Sequence, residues 1–285
     1  MLLPCKKDGF EKHADFAYAL AMDLSKSSYP TYCDGIKTRE MFVERSLKAF
    51  ERETEDMLLF VCEGEVQGLI HYYWIPDDLY LATNVFAINR NTEQALSEFL
   101  SYIGDRFSGY DVVMGFPAEN HSAVKYLSEQ GFDCIEDDYN NTALLDSMAD
   151  IPVDKGITRI HKENYDKFQS LHFQIEGEMY WDSERIRADL DSWTIFVKQK
   201  DGESQGAVYY MNAGDGWFEI FGIDIMHGEH NPELFKELLN AALSDAKHRG
   251  GKVMTFFCEK DYEATAQECG FVCVGNYLCF KAHVR

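Results

Sequence analysis

Apolar residues in this chain recur with two different periods, and the switch between them marks out the elements. Helical spacing governs 11–24 and 39–50, where Met41, Phe42, Leu47 and Phe50 set an apolar stripe among charged positions. An apolar run over 58–62, the turn Glu63-Gly64-Glu65 and a second run over 66–74 predict a β-hairpin. A further strand is expected over 79–88. Asn91 and Gln94 have capping-box spacing, opening a helix to Phe107. A strand over 112–116, a helix over 122–130 closed by Gly131, and strands over 132–135 and 142–145 follow.

The same order then starts again. A strand is expected over 157–160, helices over 164–175 and 183–190, and a hairpin over 193–199 and 205–211 around Asp201-Gly202. A strand over 217–225 precedes Asn231-Pro232, an N-cap and first-turn proline that open a helix to Arg249. A strand over 253–257, a helix over 262–269 and strands over 271–274 and 278–282 end the chain. The pattern is β-α-α-β-β-β-α-β-α-β-β, stated twice. Particular residues repeat with it, about 140 positions apart. Leu59-Phe60-Val61, Gln67-Gly68 and Tyr72-Tyr73 are echoed by Ile195-Phe196-Val197, Gln205-Gly206 and Tyr209-Tyr210. Gly131-Phe132-Asp133-Cys134 is echoed by Gly270-Phe271-Val272-Cys273. A period this long is a domain, not a solenoid turn. Two α/β domains are therefore expected, over 1–148 and 157–285, with the linker near 146–156, polar and holding Pro152 and Gly156.

Charge narrows the ligands. The 285 residues carry a formal net charge of −22, a field that repels nucleic acid and anionic lipid and suits a cationic amine. No long apolar run suggests a membrane span, and the first residues lack the apolar core of a signal peptide, so a cytoplasmic protein is expected. The eight cysteines show no Cys-x-x-Cys spacing, and no metal site is expected.

The segment Asn120-His121-Ser122-Ala123-Val124-Lys125-Tyr126-Leu127-Ser128-Glu129-Gln130-Gly131-Phe132 resembles a motif of the GNAT acetyltransferase superfamily. With the duplicated element order, the resemblance extends over nearly the whole chain. It implies two tandem GNAT-like domains of mixed α/β sheet, with acyl-CoA held where two central strands part. It further implies pantetheine pairing with the fourth strand (Ile223 and Ile225 in the second copy), with Asn120 in the corresponding motif of the first. Pyrophosphate would sit at the start of the next helix, near His227 and Gly228, or near Arg90 in the first copy.

Both phosphate loops depart from the family's Q/R-x-x-G-x-G/A. Arg90-Asn91-Thr92-Glu93-Gln94-Ala95 has Glu93 where a glycine belongs, and 225–232 has a single glycine. The resemblance implies direct acyl transfer from acetyl-CoA to a small amine. Glu219, on the fourth strand of the second copy, is the candidate base, and Tyr262 and Tyr126 are candidate acids. Glu176-Gly177-Glu178-Met179-Tyr180-Trp181-Asp182 falls where the family forms its acceptor pocket. Loss of acetyl-CoA binding, leaving a module that binds a ligand or a protein, is the rival reading. Both a monomer and a homodimer stay open.

Overall fold

The computed structural model describes every residue except Glu178, Asp215 and Arg285. Two compact units make up the chain: unit 1 is Met1–Asp138 with Gly275–Arg285, and unit 2 is Tyr139–Val274.

Unit 1 contains β1 (Leu2–Pro4), α1 (Lys7–Ala21), α2 (Arg39–Leu47), β2 (Glu55–Cys62), β3 (Glu65–Ile75), β4 (Tyr80–Ile88), α3 (Thr92–Gly104), β5 (Asp111–Pro117) and α4 (His121–Glu129). Two long strands, β6 (Asp133–Leu144) and β12 (Val272–His283), begin in one unit and end in the other. Unit 2 holds β7 (Ile157–Arg159), α5 (Asp166–His172), α6 (Ser183–Ala188), β8 (Trp193–Lys200), β9 (Glu203–Gly214), β10 (Trp217–Ile225), α7 (Pro232–His248), β11 (Val253–Cys258) and α8 (Glu263–Glu268).

The two sheets have one topology. In unit 1, β1 to β4 pair antiparallel in sequence, and β4 pairs parallel with β5. In unit 2, β7 to β10 do the same, and β10 pairs parallel with β11. The closing strand is exchanged. Residues 277–283 of β12 pair antiparallel with β5, while residues 139–144 of β6 pair with β11. The units therefore differ from the contiguous 1–148 and 157–285 expected. The short strand pairs expected at the end of each copy are single long strands, because each runs on into the other unit's sheet instead of folding back.

Local chemistry explains the helices. In α7 the Asn231 side chain accepts from the Leu234 N–H, and Pro232 occupies the first turn. Phe235, Leu238, Leu239, Ala242, Leu243 and Ala246 then recur at helical spacing and are buried against Phe218, Ile220, Met254 and Phe256 of the sheet. Burying each leucine is worth about 1.5–3 kcal/mol. The other face of this sheet packs on α5 through Phe168, Leu171, Ile195, Val197 and Tyr209. In unit 1, α3 and α4 cover one face, while α1 and α2 supply Phe10, Ala14, Ala17 and Phe42 to the other. The expected capping box at α3 does not form. Asn91 is left-handed (φ 61°), so its side chain turns from the helix start and its amide reaches the Cys62 sulfur instead.

In each unit the parallel pair is short. β4 and β5 pair only from Tyr80 to Ala82, and β10 and β11 only from Trp217 to Ile220. A bulge falls just beyond: the ladder skips Asn84 in β4 and Phe221 in β10. The strands then part, leaving a V in each sheet.

Candidate functional site

Glu219 sits in β10 between Phe218 and Ile220, both buried under α7, so strand alternation turns its carboxylate to the opposite face. Ladder registers place Thr142, Thr255, Glu219, Met211 and Trp193 side by side across five strands on that face. Trp193, Trp181 and Phe221 form an aromatic cluster there, with ring centroids 5.1 Å apart for Trp181–Trp193 and for Trp193–Phe221. The bulge turns Phe221 into this cluster and leaves it 39% exposed. Two buried polar atoms in the row, Thr142 Oγ1 and Trp193 Nε1, have no hydrogen-bond partner among the described residues. A carboxylate on the same sheet face as an aromatic cluster with one exposed ring, Phe221, is a setting for a cation.

Behind the cluster lies a buried pair absent from the expectations above. His172 Nδ1 is 2.7 Å from Asp224 Oδ2, and its Nε2 is 3.0 Å from the Trp181 carbonyl. Both ring nitrogens face oxygen atoms, an arrangement that favours the protonated imidazole. Burial opposes that charge, but the hydrogen bond and charge of Asp224 outweigh it and raise the imidazole above its ordinary value. The pair ties α5, β10 and the loop carrying Trp181 together. A signal for it exists in the sequence: Asp224 is a charge between two isoleucines in a buried strand.

Glu176 and Asp182 serve the backbone. Glu176 accepts from the Ser183 N–H at 2.7 Å, and Asp182 caps α6 through the Glu184 and Arg185 N–H groups. Glu178 lies outside the described residues.

Tyr262 is held by the loop between β10 and α7. Its hydroxyl accepts from the Asn231 N–H at 3.0 Å and donates to the Glu229 carbonyl at 3.2 Å, while its ring stacks on Phe235 at 4.1 Å. Burial raises its phenol above the ordinary value. These contacts make it an anchor for that loop, and a poor fit to the acid role expected of it. Tyr126 is half-buried against the α3–α4 core of unit 1 and packs there.

The expected cofactor residues divide. His227 and Gly228 are exposed and left-handed (φ 59° and 64°). The helix start beside them offers few donors: Pro232 has no N–H and Asn231 already caps Leu234. Glu229 and Glu233 add negative charge, so the pyrophosphate end fits poorly. The strand end fits better. Counted from the bulge, Ile223 and Ile225 match Phe86 and Ile88 of β4, and no loop segment bonds their N–H groups among the described residues. In unit 1, Arg90 is exposed and makes no ion pair among the described residues. Asn120 is fully buried and spent on the protein itself, its Oδ1 on the Ala123 N–H and its Nδ2 on the Ser27 carbonyl. A groove of about 500 Å³ lined by Lys167, Ser170, Gln174, Gln199 and Met226 does not include Glu219. Among the described residues no helix is long and apolar enough to cross a membrane, and no group of three His, Cys, Asp or Glu side chains could hold a metal.

Six strands, a short parallel pair with a bulge and a V, and two helices on each face define each unit as a GNAT fold, present here in tandem. Solved structures of that fold align over the chain. A GCN5-related N-acetyltransferase from Sphaerobacter thermophilus matches 100% of this chain and 96% of its own, with TM-score 0.61 and 13% identity. A tandem GNAT protein from the clavulanic acid biosynthesis pathway matches 100% and 98%, with TM-score 0.53 and 11% identity. A Drosophila protein matches 100% and 99%, with TM-score 0.59 and 11% identity. No protein-family model and no curated protein matches the chain.

Proposed function

We propose that unit 2 is an acyl-CoA-dependent N-acetyltransferase acting on a small amine by direct transfer. The observation that carries this is a strand edge at Ile223 and Ile225, which no loop segment bonds among the described residues, on the same bulged strand as Glu219 and Phe221 of the aromatic cluster. Ile223 and Ile225 would hold the pantetheine arm through their N–H groups. Acetyl-CoA would supply an activated thioester. Trp181, Trp193 and Phe221 would receive the ammonium, whose approach the net charge of −22 favours. Glu219 would take the ammonium proton, freeing the nitrogen lone pair for the carbonyl carbon. The C–N bond forms as the C–S bond breaks, and the second nitrogen proton passes to the departing thiolate, leaving a neutral amide and the free thiol. Tyr262 has no part as proton donor in this reading, since its hydroxyl already makes two hydrogen bonds to the loop.

The poor pyrophosphate end favours a second reading, in which unit 2 binds an amine without transferring a group. The test is thiol release from acetyl-CoA against primary amines of graded size, from ethanolamine to arylalkylamines. Amine-dependent release lost in Glu219→Gln supports transfer. Amine binding without release supports the second reading.

A further inference from the structure

We infer that the V of unit 1 is filled by the chain's own segment 26–29, so that no acyl-CoA can pair with its fourth strand. The segment follows α1 and bonds both arms of the V. On β4, the Ile88 N–H donates to the Lys26 carbonyl at 2.9 Å, and the Phe86 N–H donates to Ser28 Oγ at 2.7 Å. On β5, the Gly115 carbonyl accepts from the Tyr29 N–H at 2.9 Å. At the start of α4, Asn120 Nδ2 donates to the Ser27 carbonyl at 3.1 Å. Ser27, Ser28 and Tyr29 are buried, and the Tyr29 ring meets Tyr277 edge-on at 4.9 Å.

These bonds use the groups a pantetheine arm would need. A tethered segment also competes at an effective concentration that a free ligand does not match. Unit 2 differs at the corresponding place. Its chain between α5 and α6 lays Trp181 against the aromatic cluster, and no loop segment bonds the Ile223 or Ile225 N–H among the described residues. Asn120 is thereby assigned to holding the plug. The plug stands whether or not unit 2 takes acyl-CoA.

Amide hydrogen exchange of the full chain tests it, first without ligand and then with acetyl-CoA. The Phe86 and Ile88 amides are expected to exchange roughly 100-fold more slowly than those of Ile223 and Ile225, with no change on adding acetyl-CoA. Ser28→Ala is expected to speed exchange at Phe86 by about fivefold. Rates at Phe86 and Ile88 as fast as at Ile223 and Ile225, or new protection there with acetyl-CoA, would overturn the plug. Slow exchange at Phe86 and Ile88 without any acetyl-CoA effect at Ile223 and Ile225 would support the plug while overturning the function proposed for unit 2.

Discussion

Replacing Tyr262 by Phe separates a loop anchor from a catalytic acid. The variant keeps the ring, which stacks on Phe235 at 4.1 Å with an interplanar angle of 4°, and removes only the hydroxyl. Two hydrogen bonds go with it, to the Asn231 N–H and the Glu229 carbonyl. At about 1 kcal/mol net for each bond, the expected loss is about 2 kcal/mol. For a unit of this size that lowers Tm by roughly 4–8 °C. The loop should loosen, so in a transfer assay KM for acetyl-CoA rises more than kcat falls. Tyr262→Ala should cost about 3–5 kcal/mol, because the stacked ring is lost as well. Thermal melts and steady-state kinetics of both variants check this. A Tyr262→Phe protein with unchanged Tm and a kcat lowered at constant KM would refute the anchoring role.

Other outcomes follow from the same structure. Glu219→Gln should lower kcat for amine acetylation by about 10²–10⁴-fold with little change in Tm, measured by thiol release. His172 has a raised value in the fold, so its ion pair stabilises fully below the unfolded value of about 6.5 and is lost as pH rises through the folded one. The stability gap between wild type and His172→Gln in urea melts should therefore shrink with rising pH, and a constant gap would contradict it. Burial pushes Glu55 up, but hydrogen bonds from His71 and Arg52 outweigh it and hold the carboxyl at about 2. Its contribution is present above the unfolded value and lost as pH falls through about 2. Glu55→Gln should cost about 3 kcal/mol at neutral pH, and acid titration of both proteins reads the difference.

The tandem fold was legible because each copy switches period in the same order, and because Gln67-Gly68 and Gln205-Gly206 mark the same place in each third strand. The exchange of closing strands was not. Gly131-Phe132-Asp133-Cys134 and Gly270-Phe271-Val272-Cys273 are so alike that either following strand suits either sheet edge. Glu219 was legible as an acid on a strand between Phe218 and Ile220. The role of Tyr262 was not, since its partners lie on a loop about 30 residues away in sequence and only packing brings them together. Residues 25–32 are mostly polar in sequence, yet Ser27, Ser28 and Thr31 are buried. The partners of this segment, Phe86, Gly115 and Asn120, are remote in sequence, and local pattern carries no trace of them.

Calorimetric titration of the full chain with acetyl-CoA tests most directly whether unit 2 alone takes the acyl donor. Saturation at a single acetyl-CoA per chain, abolished by Ile223→Pro, which removes a strand N–H, is the expected result. No heat at millimolar acetyl-CoA, or saturation at two per chain, would contradict it.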